Sequence, residues 1–179
     1  MKLLIGVTGS VAAKLTPKLI SAIIRGVPKI EVKVIATDRS LYFFSRDEVS
    51  VPILTDRDEW SAGGYVKGSD ILHIDLGEWA DVLLIAPLSA DTLSDMAHGR
   101  ANKFLTSTVL AWHRERPIIL APAMNTRMWE NPITQGNLQT VREAYNIRVI
   151  GPEEGVLACR TTGVGAMARI ETIVASLSS

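Results

Sequence analysis

The sequence has a single cysteine, Cys159, in 179 residues. That count excludes an internal disulfide framework and fits a reducing, cytoplasmic setting. Charge imbalance is missing as well: 19 Lys and Arg stand against 19 Asp and Glu. No global field would recruit nucleic acid or an anionic membrane, so an anionic ligand must be held by local geometry. Long hydrophobic runs are also lacking. The opening stretch Met1 to Val7 meets Gly6 and Gly9 and is too short for a signal peptide or a membrane span. Three histidines, His73, His98 and His113, lie far apart in the chain, and no metal site is expected. Linkers, internal repeats and low-complexity tracts are absent too, so residues 1–179 read as one domain with a core of its own.

Short apolar runs alternate with helix-length segments. Strands are expected at Leu3 to Val7, Val32 to Ala36, Asp81 to Pro87, Pro117 to Pro122 and Ile147 to Ile150. DVLLIAP and PIILAP are continuous apolar runs, the signature of strands covered on both faces. Helices are expected at Val11 to Arg25, with Pro17 in the first turn or at a kink, and at Asp38 to Phe44. Others fall at Ala90 to Ala97, Lys103 to His113, Ile133 to Tyr145 and Arg169 to Leu177. This alternation predicts an α/β domain of three layers, a parallel sheet sandwiched by helices. Two stretches, Ser45 to Asp70 and Gly151 to Met167, read as long irregular loops.

Ligands of open parallel sheets bind beyond the carboxyl ends of the strands. The first strand ends in Gly6-Val7-Thr8-Gly9-Ser10-Val11-Ala12. Gly9 would let backbone approach a ligand, and Ser10 with the helix amides would offer donors to a phosphate. The turn is neither the spaced-glycine dinucleotide fingerprint nor a Walker A sequence, and it fits a capped strand-to-helix turn equally well. The second strand ends at Thr37, with Ser40 three residues on. The third ends in Ser89-Ala90-Asp91-Thr92, where Ser89 is a candidate helix cap. Small hydroxyl residues gathered at three strand ends favour a mononucleotide pocket.

PIILAP runs on into Ala123-Met124-Asn125-Thr126-Arg127-Met128-Trp129. Apolar packing explains Met124, Met128 and Trp129 but not Asn125, whose amide can donate and accept and so suits a substrate carboxylate. His73 precedes Trp79-Ala80-Asp81, and a lone histidine is more often structural than catalytic. His98 and His113 read as solvent-side or packing residues. Cys159 lies in a glycine-rich stretch beside Arg160. A buried inert thiol is the ordinary reading, but a neighbouring cation favours thiolate.

Taken together, these strings resemble the homo-oligomeric flavin-containing cysteine decarboxylases from Leu3 to about Ala168. The resemblance is carried by Gly6-x-Thr8-Gly9-Ser10-Val11-Ala12, His73-Ile74-Asp75-Leu76, Trp79-Ala80-Asp81-Val82 and Ala86-Pro87-Leu88-Ser89-Ala90. It continues through Pro122-Ala123-Met124-Asn125-x-x-Met128-Trp129, Ala158-Cys159 and Gly163-x-Gly165-Ala166-Met167. The resemblance implies a flavodoxin-like domain that assembles as a homotrimer, or a multiple of trimers, with FMN between neighbouring subunits. FMN would be lined by Gly9, Ser10, Val11, Thr37, Ser40, Ser89, Ala90, Asp91, Thr92 and Ala123. His73 would be the acid/base, Asn125 would hold the carboxylate of a small thiol substrate, and Met128 would shape the pocket.

In such a reaction flavin oxidises the thiol so that the carboxylate can leave, and Cys159 would protonate a late intermediate. That makes the cycle redox-neutral. Relatives that act on peptide C-termini instead release an oxidised product, and others regulate a partner without catalysis; both remain alternatives. No second catalytic domain is expected to be fused to this one. Three positions depart from the family pattern. Arg160-Thr161-Thr162 follows the cysteine, Asp91 replaces a usual asparagine, and Gly77-Glu78 sits where close relatives often carry arginines. Arg160 would lower the Cys159 pKa or meet a substrate phosphate.

Overall fold

A computed structural model describes residues 1–59, 68–156 and 162–177. The apolar runs form β1 (Lys2–Val7), β2 (Glu31–Ala36), β4 (Val82–Leu88), β5 (Ile118–Pro122) and β6 (Ile147–Val149), with a two-residue β3 (Ile53–Leu54) between β2 and β4 in the chain. All pair in parallel, in the order β3-β2-β1-β4-β5-β6. Leaving aside the β3 edge, the order is the 2-1-3-4-5 of a flavodoxin-like sheet; with β3 it is the Rossmann-like 3-2-1-4-5-6. The chain reverses its direction of winding between β1 and β4. The loops after those two strands therefore diverge and leave a crevice.

Side chains alternate between two cores, as period-2 strands covered on both faces require. Leu3, Ile5, Val7, Leu84, Ala86, Ile119 and Ala121 pack with Leu19, Ile20 and Ile23 of α1 (Thr16–Gly26) and Ile173 of α7 (Ile170–Ser176). On the other face Leu4, Leu83, Ile85, Ile118 and Leu120 meet α2 (Leu72–Trp79), α3 (Ala90–Ala97), α4 (Phe104–Leu110) and α6 (Pro132–Ala144). Phe104 and Leu105 are fully buried there. The Leu105 side chain lies against Gly6, where an added Cβ would come within 2.7 Å of it.

Several elements differ from the sequence expectation. The helix expected from Val11 starts as a 3-10 turn over Val11–Leu15 and becomes α-helical only at Thr16, with Pro17 in its first turn, where no amide is needed. Asp38 to Phe44 contributes a single 3-10 turn, Ser40–Tyr42. The helix expected over Lys103 to His113 stops at Leu110. α2 was not expected at all. It is eight residues long and contains Gly77, and its C-terminal end is held from outside. Arg116 Nη1 donates to the carbonyls of Gly77, Glu78 and Ala80 at 2.8, 3.0 and 2.9 Å.

The stretch from Gly151, read as a loop for its glycines, contains an antiparallel hairpin of β7 (Glu153–Val156) and β8 (Thr162–Ala166). Here glycine serves close approach. An added Cβ at Gly165 would run into the Met124 carbonyl, and one at Gly163 into the Thr126 hydroxyl.

Candidate functional site

The crevice at the ends of β1 and β4 is built around Thr8. Its hydroxyl donates to the Pro87 carbonyl at 2.8 Å and accepts from the Ser89 amide at 2.8 Å, so it pins the two diverging loops together. Sequence reasoning saw Thr8 in the turn and gave it no task, although a fully buried hydroxyl must be paired. Ser89 caps α3 as expected, accepting from the Thr92 amide. The next loop is tied in as well: Ser10 Oγ donates to the Ala123 carbonyl at 3.0 Å, and the Ala123 amide donates to the Leu88 carbonyl at 3.0 Å. Three strand ends thus converge through hydroxyl-to-backbone and backbone hydrogen bonds.

Between them opens a cavity of about 380 Å³ lined by Gly9, Thr37, Ser89, Asp91 and Thr92 among the expected residues. Thr37 is the informative one. Its hydroxyl is buried and has no hydrogen-bond partner among the described residues, so it awaits a polar ligand. Ala90 adjoins the cavity in the first turn of α3, and Val11 is 40 % exposed beside the Gly9 turn. Ser40 behaves differently. It is fully buried and donates to the Thr37 carbonyl at 2.7 Å, so it braces Thr37 rather than lining the cavity.

The cavity is also more charged than the hydroxyl pattern suggested. Arg39, Arg100 and Lys103 face Asp38, Asp56, Asp91 and Asp95 around it. Lys103 Nζ sits 2.8 Å from Asp91 Oδ2 and 2.7 Å from Asp95 Oδ2, and the Asp95 side chain is only 7 % exposed. The hydrogen bond from Lys103 holds the Asp91 carboxyl below its ordinary value of 3.8, against the opposing effect of burial. Burial pulls Lys103 down, but its bonds to Asp91 and Asp95 outweigh this and keep the ammonium above its ordinary 10.5. The negative charge of Asp91 is therefore neutralised where it stands. Nothing in the sequence flags this, because Asp95 and Lys103 lie on different helical segments.

Asn125 caps α5 (Thr126–Trp129), its Oδ1 accepting from the Arg127 amide at 2.9 Å. The cap fixes the direction of the side-chain amide. The loop itself is clamped, since the Met124 amide donates to the Gly165 carbonyl at 3.0 Å. Met128 is 48 % exposed on the same short helix.

His73 lies elsewhere, in the first turn of α2, on a second cavity of about 480 Å³ lined by Glu59, Ala101, Asn102, Ser107, Leu110 and Ala111. The two cavities share Asn102, and Asn125 lines neither. His73 Nδ1 is 2.9 Å from Glu59 Oε1, an ion-pair approach that is bent away from a straight hydrogen bond. The other histidines are structural: His98 bonds the Ser94 carbonyl, and His113 pairs with Glu78. Cys159 and Arg160 fall outside the described residues. Among the described residues no group of His, Cys, Asp or Glu could hold a metal ion, and no helix is long and apolar enough to cross a membrane.

A family model described as Flavoprotein matches residues 1–179. A mouse phosphopantothenoylcysteine decarboxylase is 42% identical over 179 residues, covering 99% of this chain and 86% of its own length. Among solved structures, a PPC decarboxylase mutant complexed with pantothenoylaminoethenethiol superposes with a TM-score of 0.93 at 38% identity, covering 99% of this chain and 96% of that one. The FMN binding protein AtHal3 superposes with a TM-score of 0.89 at 39% identity, covering 99% and 94%.

Proposed function

The chain belongs to the flavoprotein family, and from that premise we propose that it is an FMN-dependent carboxy-lyase. Its substrate is 4'-phosphopantothenoylcysteine and its product 4'-phosphopantetheine, on the route to coenzyme A. The observation that carries this reading is the loop Pro122-Ala123-Met124-Asn125, fixed at the switch point of the sheet by Ser10, Leu88 and Gly165. A carboxylate-binding amide is thereby held near a ligand crevice rather than left on a free loop.

FMN fits the first cavity. Thr37 presents a buried hydroxyl that is unpaired among the described residues, Gly9 admits backbone approach, and Ser89 with Thr92 supply further polar groups. We assign Gly9, Ser10, Val11, Thr37, Ser89, Ala90, Asp91, Thr92 and Ala123 to its binding, with Ser40 as the brace behind Thr37. When bound, FMN supplies the reversible two-electron oxidation of the thiol that gives the departing carboxylate an electron sink. The chain's own residues supply position and protons. Asn125 orients the substrate carboxylate by donating from its amide nitrogen, since its Oδ1 is engaged as a helix cap. His73 takes the proton released in the first half of the cycle. Met128 bounds the pocket, Cys159 returns a proton late in the cycle, and Arg160 meets the substrate phosphate or favours the thiolate.

His73 and Asn125 line no common cavity of the described residues, and a second copy of the chain could bring them together. This supports a homotrimer, or a multiple of trimers, with the cofactor at each junction. We place the enzyme in the cytoplasm, where Cys159 stays reduced. Purified protein mixed anaerobically with phosphopantothenoylcysteine should lose carbon dioxide alone over many turnovers, as read by mass spectrometry. Loss of carbon dioxide plus two hydrogens, halting after one turnover, would make it an oxidative enzyme of the peptidyl-cysteine type. A yellow protein with no turnover would point to a regulatory flavoprotein.

A further inference from the structure

Glu59 is a nearly buried carboxylate, 9 % exposed, on a segment with no regular secondary structure. Such a group needs a reason to be where it is, because burying an unpaired carboxylate is costly. The segment leading to it is locked on three sides. Asp58 Oδ2 accepts from both the amide and the hydroxyl of Thr55 at 2.7 Å, and Arg46 Nη2 donates to that hydroxyl at 3.2 Å. Asp56 Oδ1 accepts from the Phe104 amide at 2.7 Å and thereby ties the segment to the start of α4. The outcome of these bonds is a carboxylate oxygen 2.9 Å from His73 Nδ1, on the wall of the 480 Å³ cavity.

The place of His73 explains why a carboxylate is needed. It sits in the first turn of α2, at the positive end of the helix dipole, which disfavours a positive ring. Among the described residues the other elements around the cavity bring no charge: Ala101 and Asn102 come from the connection before α4, and Ser107, Leu110 and Ala111 from α4 and its end. Asp70 and Asp75 are neighbours along the chain, and both side chains are exposed. Among the described residues, Glu59 is thus the one charged group lining the cavity beside the imidazole. A carboxylate at Nδ1 selects the tautomer with its proton on Nδ1, which leaves the Nε2 lone pair as the base and stabilises the ring once that pair is protonated. The bent approach is of the kind that straightens when substrate closes a site.

We infer that Glu59 is a positioning residue for His73, fixing its tautomer and offsetting the charge it gains when it accepts a proton. The inference rests on the reading of His73 as the acid/base, and the test separates the two. With only three histidines, nitrogen-15 spectra of the FMN-bound protein can report the His73 tautomer directly. Wild type should show the neutral ring protonated on Nδ1. Glu59→Gln should move it toward Nε2 protonation and lower kcat by about tenfold or more with KM changed less than about threefold. Glu59→Asp should recover part of both. An unchanged tautomer in Glu59→Gln, together with an unchanged rate, overturns the inference. If His73→Gln kept full activity, the acid/base reading would fall instead, and the tautomer spectra would still decide whether Glu59 orients the ring.

Discussion

Removing the Lys103 ammonium, as in Lys103→Met, tests whether the charges around the first cavity form a working unit. The ammonium lies 2.7 Å from a nearly buried carboxylate, Asp95, and 2.8 Å from an exposed one, Asp91. Breaking a fully buried pair by deleting one partner costs about 3–5 kcal/mol, because the remaining charge is stranded. Lys103 is 25 % exposed, so water reaches part of the gap, and ordering the lysine costs up to about 2 kcal/mol of side-chain entropy that the variant regains. The expected loss is therefore about 1.5–3 kcal/mol. The exposed Asp91 contact should add no more than about 0.5 kcal/mol. Pairing Lys103→Met with Asp95→Asn removes the stranded charge, so the double variant should recover about 1–2 kcal/mol relative to the sum of the singles. Equilibrium urea unfolding, followed by far-UV circular dichroism at one protein concentration, measures all four corners of the cycle. A Lys103→Met loss below about 0.5 kcal/mol, with no coupling to Asp95, would refute the argument that the two act together.

The same pair sets a pH dependence. The Asp91 carboxyl is held below 3.8 and the Lys103 ammonium above 10.5, so each contributes stability across the neutral range. The Asp91 part is lost as pH falls through its folded value, and the Lys103 part as pH rises through its own. The difference between wild type and Lys103→Met should be level from about pH 5 to 9 and shrink at both extremes; a deficit that stays the same or grows at either extreme would contradict this. Gly165→Ala drives a methyl group into the Met124 carbonyl and should cost about 1–3 kcal/mol. It should also raise KM for the thiol substrate by shifting Asn125, and steady-state kinetics with wild-type constants would show that the clamp is idle. Arg116→Met removes the nitrogen that serves three carbonyls at the end of α2 and should destabilise by about 1–2 kcal/mol. Hydrogen exchange should locate the loosening in Leu72–Trp79, and uniform protection there would oppose the capping role.

How much was legible in the sequence follows from the range of each interaction. DVLLIAP and PIILAP announced buried parallel strands, because continuous apolar runs have no other easy home in a chain of this composition. The capping role of Ser89 was legible too, since it depends on Thr92 only three residues away. The brace made by Ser40 on Thr37 is equally local, yet the sequence could not say whether that hydroxyl points inward or into the crevice. α2 escaped notice because its C-terminal end is secured by Arg116, 36 residues beyond Ala80. The β7–β8 hairpin was hidden by glycines that serve a neighbouring loop rather than flexibility.

The sequence by itself determined the layer order, the strand ends and the residues able to do chemistry there, since periodicity and turn chemistry act over a few residues. Only the tertiary structure decided how those residues combine. It joined Thr8 to Ser89 across the switch point, gave Asp91 and Asp95 a shared lysine, set Glu59 against His73, and left Asn125 off the cavity that His73 lines. The physical reason is separation along the chain. Hydrogen bonds and ion pairs between distant segments depend on where the packed sheet and helices place them, and no local pattern of residues encodes that placement.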